Sequence, residues 1–489
     1  MPSLYHALAP LAGVSLLGLA GPAAAADKKP NVLVILTDDQ GYADLSCQGS
    51  PDLRTPNIDR IAKEGVRCTH AYVTAPQCGP SRAGIMTGML QNRFGYRDNN
   101  QNRGLPAYPE TPTMAETLRD AGYRTMMIGK WHIGPEDREA RKSGAKTSSD
   151  IGEADMPWQR GFDQVVMHEG GGSHFFPYSP AGEAYNRQRG RDHRLLEVRG
   201  RGEPRQFIDG LPEKTYLTDY FSERAVAFIE DEADQPWFIY LAYNAPHTPI
   251  MAPEADLEAN NHIADKTRRT YAAMLTAVDR GVGNIYAALE KSGELENTLV
   301  FFLSDNGAPP ENAGSNTPWR GLKGDMFEGG IRIPFLVSWP AVLPRGKVYD
   351  PLVSSLDIYP TAAAAAGVPL HQKLDGVNLV PFLTGKESGQ PHPLHFVMWR
   401  QAYVGVADSR YKVIRNNQQP KAQRYKEVEK LPEDANFDLQ DNPGEDFARE
   451  LKATDLPEGL VDRIESWRER VAQEAKIQPG AAGNPPSNP

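Results

Sequence analysis

Cysteine is nearly missing from this sequence, with three residues in 489. A small disulfide-stapled scaffold is therefore excluded, and stability has to come from a buried core. At this length, with 40% hydrophobic residues, the chain can bury a large one, as one big domain plus a smaller one. Positive charge is also in deficit: 53 Lys and Arg face 63 Asp and Glu, for a net charge of −10. No general basic field is available for nucleic acid, so a polyanionic substrate would need a local basic pocket. Beyond the N-terminus, no apolar run is long enough to span a bilayer. No internal repeat is present.

The N-terminus carries the one short apolar run, residues 7–19, followed by Gly21-Pro22 and the small residues 23–26. This pattern reads as a signal peptide over residues 1–26, although the segment before the run has no Lys or Arg. Export to the periplasm or outside the cell is expected, with no stable membrane span after cleavage near Ala26. Three cysteines are an odd number for an exported chain. If Cys78 is used in chemistry, Cys47 and Cys68 remain, either as a disulfide or as two buried free thiols.

Residues 31–36, 125–128, 237–242 and 298–303 are apolar, β-branched or aromatic runs that stop abruptly at polar turns. Such runs predict strands buried on both faces, as in a parallel sheet. Between them, residues 55–65, 113–122, 220–230 and 270–289 have helical patterning, and 334–339 is a further strand. The alternation predicts an α/β fold with a large, mostly parallel sheet flanked by helices. Residues 136–156 read as a surface excursion and 186–205, rich in arginine, as an exposed loop. After about residue 385 the pattern changes to short strands at 394–399, 403–406 and 412–415, with a last helix over 458–476. A catalytic domain over 27–385, a smaller antiparallel subdomain over 386–477 and a disordered tail over 478–489 are expected.

One stretch organises the chemistry: Cys78-Gly79-Pro80-Ser81-Arg82, continuing to Thr87-Gly88. Proline suits the first turn of a helix, which places Cys78 at the positive end of that helix. Arg82, one turn on, returns to the same point as a cation able to hold oxyanions. Polar residues also follow four strand ends: Asp38 and Asp39, Lys130 and His132, His247, and Asp305 with Asn306. Parallel strands present these positions to one crevice. Oxygen ligands alone, from Asp38, Asp39, Asp305 and Asn306, favour Ca²⁺ over Mg²⁺ and both over zinc. With such an ion, Arg82, Lys130 and Lys323 leave the site a positive surplus, suited to a phosphate or sulfate ester.

These motifs resemble the type I, formylglycine-dependent sulfatases of the alkaline-phosphatase-like superfamily. The resemblance runs from about Asn31 to Glu445. It rests on Cys78-x-Pro80-Ser81-Arg82, Gly129-Lys130-Trp131-His132, Gly321-Leu322-Lys323, Glu328-Gly329-Gly330 and Arg332-x-Pro334, with Phe437-Asp438-Leu439 and Pro443-Gly444-Glu445 near the end. Met89 stands where many members have arginine, and Gly79 occupies a variable position. The resemblance implies that a maturation enzyme oxidises Cys78 to formylglycine (3-oxoalanine), whose hydrate is the nucleophile. Asp38, Asp39, Asp305, Asn306 and residue 78 would hold Ca²⁺, and Arg82 would steady them. Lys130 and Lys323 would bind sulfate oxygens, His247 would serve the leaving oxygen, and His132 the hydrate's second hydroxyl.

The organic part of the substrate is less legible. His168, Gly170-Gly171-Gly172 and His174, then Phe175, Phe176 and Tyr178, read either as a rim loop that stacks on a sugar or as a packed loop. The arginines between 187 and 205 either meet further anionic groups of a polymer or are simply solvated. A sulfated glycan is the expected substrate. A phosphodiesterase or phosphonate monoester hydrolase on the same scaffold, and a silent glycan-binding relative, are the alternatives.

Overall fold

The computed structural model describes residues 28–134, 153–168, 172–189, 192–231, 233–370, 374–417 and 431–477. The signal segment, most of the 136–156 excursion, Gly170, Gly171, Arg191 and the tail lie outside the described residues.

Eleven strands can be named first: β1 (Asn31–Thr37), β2 (Val66–Cys68), β3 (Ala71–Tyr72), β4 (Arg124–Gly129), β5 (Gln164–Met167), β6 (Leu196–Val198), β7 (Gln206–Phe207), β8 (Trp237–Ala242), β9 (Thr298–Ser304), β10 (Phe335–Ser338) and β11 (Lys347–Tyr349). All but β3 form one ten-stranded sheet in the order β11-β2-β10-β9-β1-β8-β4-β5-β6-β7. Its centre, β9-β1-β8-β4-β5, is parallel throughout. Along β1, Val32, Val34 and Leu36 enter the core on one face, and Leu33 and Ile35 enter the core on the other. This two-period alternation with apolar residues on both sides is why the strand reads as a solid apolar run. One face is covered by helices Cys78–Thr87, Met114–Asp120 and Ile358–Ala365, the other by Pro56–Glu64, Leu217–Glu230 and Lys266–Ser292.

A short pair, β3 with β12 (Val353–Ser354), lies outside this sheet. A second sheet of four antiparallel strands follows: β13 (Leu394–Trp399), β14 (Ala402–Ala407), β15 (Tyr411–Arg415) and β16 (Ala435–Asp438). The helix Leu460–Ile477 packs on it, with Trp467 stacked on Phe396 at 3.6 Å between ring centroids. The large, mostly parallel sheet with a smaller antiparallel one is the expected architecture.

One expectation changes, and one open alternative is decided. The 186–205 stretch is not a plain exposed loop. Its start completes the helix Pro180–Gln188, and β6 pairs antiparallel with β5. Leu195, Leu196 and Val198 are buried there, and their apolar packing outweighs the surrounding charge. Cys47 and Cys68 are both free thiols, Cys68 buried on β2 and Cys47 beside Asp59. Burial, reinforced by Asp59, pushes the Cys47 thiol up to about 12, so it is inert near neutral pH. Among the described residues, no helix is long and apolar enough to cross a membrane.

Candidate active site

The C-terminal ends of β1, β4, β8 and β9 open on one crevice. Beyond β1 the chain turns sharply at Asp38 and Asp39, and Asp39 takes a left-handed φ of 66°. The amide of Asp38 is held by the Ala245 carbonyl, and that of Asp39 by the Asp305 carboxylate at 3.3 Å. At the end of β4, a Cβ on Gly129 would lie 2.0 Å from the Ala242 carbonyl. Glycine is thus required for Lys130 to turn inward, with its amide bonded to that same carbonyl. Gly307 has the same function after β9, because a Cβ there would lie 1.8 Å from the Gly329 carbonyl.

Cys78 is the first residue of a ten-residue helix that is buried on every side and ends at Gly88 with φ of 62°. Pro80 lies in its first turn, as expected. Arg82 is fully buried, its Nε 2.8 Å from Asp305 and a terminal nitrogen 2.5 Å from the Lys130 carbonyl. The structure brings all four candidate metal ligands together with the lysines. Lys130 donates to Asp38 at 2.6 Å, Lys323 to Asp39 at 2.6 Å, and the Asn306 amide to Asp39 at 2.7 Å. His247 Nε2 is 3.5 Å from Asp39, and its Nδ1 meets the Thr248 carbonyl at 2.5 Å. A carbonyl only accepts, so Nδ1 carries hydrogen.

The electrostatics suit a cation. Burial raises the carboxyl groups of Asp38 and Asp305 above the ordinary range, against the pull of Lys130 and Arg82. Asp39 is held low, because Lys323, His247 and Lys130 together outweigh its burial. Asp38, Asp305 and Cys78 each offer a ligand atom within 4.8 Å of one another, as do Asp38, Asp39 and His247. Asp38 Oδ1 and Asn306 Oδ1 are buried acceptors with no hydrogen-bond partner. A hard cation would satisfy both and offset three buried carboxylates, so the residues present fit Ca²⁺. Burial lowers His247 to about 4, helped by Lys130 and Lys323 and opposed by Asp39. His132 is lowered strongly by burial and by Lys130, and its Nδ1 has no partner. Burial works against the Cys78 thiolate, but Lys130 and Lys323 bring its pKa below the ordinary value.

The rim residues fare differently. His168 is fully buried at the end of β5, and His174 bonds through Nδ1 to the Phe176 carbonyl in its own loop. Phe175 and Tyr178 are core residues. Apolar packing absorbs Phe175 and Tyr178, and His168 and His174 are buried as well. Among the described residues of this segment, Ser173 accepts from Asn244, and Gly172 lies against the His247 ring. The nearby arginines are largely satisfied, Arg194 by Asp192 and Asp209, and Arg199 by Glu197.

Two residues escaped the sequence reading. The Asn312 amide donates to the carbonyls of Asp39, at 2.9 Å, and Pro246, at 3.3 Å. It ties the acidic turn to the His247 loop. Asn99 lies against Cys78 itself. Asn99 lies in a bend and Asn312 ends the short 3-10 helix Pro310–Asn312, places where an asparagine carries no distinguishing local signal.

The crevice thus joins a buried acidic cluster to lysines, histidines and a helix-start cysteine on an α/β sheet, the arrangement of an esterase for an anionic group. The chain belongs to the sulfatase family and is a sulfuric ester hydrolase: the Sulfatase family matches residues 30–368. A second match, to the N-sulphoglucosamine sulphohydrolase C-terminal family, covers residues 322–457. The uncharacterized sulfatase YdeN of Escherichia coli is 33% identical, over 74% of this chain and 68% of its own length. The human N-acetylgalactosamine-6-sulfatase is 31% identical, over 78% and 74%. The crystal structure of Ps i-CgsB in complex with k-i-k-neocarrahexaose superposes with a TM-score of 0.76 at 32% identity, covering 92% of this chain and 94% of that one. The phosphonate monoester hydrolase of Agrobacterium radiobacter, at 20% identity and a TM-score of 0.60, shares the fold.

Proposed function

We propose that this exported enzyme hydrolyses sulfate monoesters of a sulfated glycan, using a formylglycine made from Cys78 together with Ca²⁺. The observation that carries the proposal is Cys78 at a buried helix start, within reach of Asp38 and Asp305 and in the field of Lys130 and Lys323. Formylglycine and Ca²⁺ supply, when present, a hydrated-aldehyde nucleophile and a Lewis acid. Asp38, Asp39, Asp305 and Asn306 would hold the cation, and Lys130 and Lys323, beside Asp38 and Asp39, would hold the sulfate oxygens. Arg82 keeps Asp305 in place and excludes water from beneath the site. His247 keeps its hydrogen on Nδ1 and turns Nε2 to the site; an anionic sulfate beside it would raise its pKa, so that Nε2 takes up a proton and passes it to the departing alkoxide, which a sugar alcohol needs because it leaves poorly. His132, kept neutral by burial, accepts a proton on the residue-78 side when sulfate is released.

The glycan reading is supported by relatives whose names specify a sugar: the N-acetylgalactosamine-6-sulfatases and the neocarrahexaose complex. Export is supported by the apolar run over residues 7–19. The test uses protein co-produced with a formylglycine-generating enzyme. It should release inorganic sulfate from k-i-k-neocarrahexaose or from N-acetylgalactosamine 6-sulfate, and Cys78→Ala should release none. Faster turnover of a phosphate diester than of any sulfate ester would favour the phosphodiesterase reading instead.

A further inference from the structure

Cys78 has a neighbour besides the carboxylates and lysines. The Asn99 side-chain nitrogen lies 3.7 Å from Cys78 Sγ, within hydrogen-bonding range of sulfur, and its oxygen accepts the amide of Gly79 at 3.1 Å. Gly79 and Asn99 are fitted to each other, since a Cβ on Gly79 would lie 2.4 Å from Asn99 Oδ1. A Cβ at 79 would press on the Asn99 amide and shift it relative to residue 78. That gives a physical reason for glycine at this position.

Asn99 is also held from below. Its backbone amide donates to the Gln77 side-chain oxygen at 3.1 Å, which in turn accepts the indole N–H of Trp399 at 3.0 Å. The preceding residue, Asp98, is buried and paired with Arg400 at 2.7 Å, while its other oxygen caps the turn by accepting the amides of Asn100 and Gln101. Trp399 and Arg400 form the tip of the β13–β14 hairpin. The second sheet therefore reaches across the molecule and fixes the loop that carries Asn99.

We propose that Asn99 is a catalytic residue, one whose amide N–H holds the atom borne on Cβ of residue 78, and that the β13–β14 tip is its positioning device. An amide donates but takes up no proton near neutral pH. Its part is to fix the direction of the nucleophile and to favour negative charge on it. The inference rests on the sulfatase reading above.

The probe is 4-nitrophenyl sulfate, on enzyme whose residue-78 peptide is checked by mass for equal conversion. Asn99→Ala is expected to lower kcat roughly 10- to 100-fold with KM within about 2-fold, the pattern of a contact made to the reacting group. Asn99→Asp keeps the acceptor for Gly79 but has no N–H, and should lose at least as much at an unchanged melting temperature. Gly79→Ala should match Asn99→Ala. Arg400→Met should lower kcat by a smaller factor in the wild type and have no further effect in Asn99→Ala, because both act through one contact. Binding of the probe to Cys78→Ser enzyme should be the same with and without Asn99→Ala. Full kcat in Asn99→Asp at equal conversion, or additive effects of Arg400→Met and Asn99→Ala, would overturn the assignment. In that event the sulfatase reading still stands, since it depends on wild-type turnover and its loss in Cys78→Ala.

Discussion

Single side chains in this site act through the partners that hold them. Asp39 meets Lys323, Asn306 and His247 at once, and its backbone carbonyl is tied by Asn312. Outer groups that aim a ligand matter almost as much as the ligand itself. Asn312→Ala should therefore weaken Ca²⁺ binding roughly 10- to 100-fold without touching a ligand atom. Titrating Ca²⁺ against the melting temperature of wild type and variant checks this, and equal affinities would contradict it. The same logic explains which residues were legible. Asp38, Lys130, His247 and Asp305 stand just past apolar runs, where a polar residue is conspicuous. Asn99 and Asn312 sit in loops already rich in Asn and Gly, where one more asparagine carries no signal. Their importance comes from chain segments that folding brings together.

Elements show a matching division. β1, β8 and β9 could be read within a residue of their ends, since a strand buried on both faces has to be apolar throughout. The edge strand β6 was hidden because three residues among arginines have no periodicity to detect, and its pairing with β5 is decided by the fold. Two histidines, His392 just before β13 and His395 on it, behave oppositely. His392 bonds Asp357 at 2.8 Å; although burial opposes it, the carboxylate raises its pKa. His395, 5.5 Å away ring to ring, is lowered strongly by burial and by His392. A group whose pKa is depressed on folding leaves the unfolded state binding more protons below about pH 6.5, so stability falls as pH falls. His392 works the other way, stabilising below about pH 6.5 and losing that contribution as pH rises through its raised value. His395→Phe should therefore flatten the loss of melting temperature between pH 7 and 5. An unchanged slope would remove His395 as its source.

At the scale of the whole molecule, the two sheets are joined by a buried charge network. Lys412 on β15 lies 2.7 Å from both Glu328 and Glu445, and Glu328 also meets Arg332 and Tyr72. Glu328 belongs to the turn that packs against Gly307, next to the acidic cluster. Against its burial, Lys412 and Arg332 hold Glu328 below the ordinary glutamate range, whereas burial pushes Glu445 above it. Removing one partner from such a network leaves buried charge uncompensated. Lys412→Met should cost about 3–5 kcal/mol in urea unfolding, and adding Glu328→Gln and Glu445→Gln should recover much of it. A loss under about 1 kcal/mol would mean that water reaches the network. The small sheet thus reaches the catalytic crevice twice, once through Lys412 and once through the hairpin tip that holds Asn99. This joint action was not legible in the sequence, where the two sheets appear as successive, separate patterns. The most direct test of the whole account is the mass of the peptide bearing residue 78, taken from protein with measured sulfatase activity. An aldehyde in proportion to activity is the predicted result, and an intact Cys78 thiol throughout fully active enzyme would contradict it.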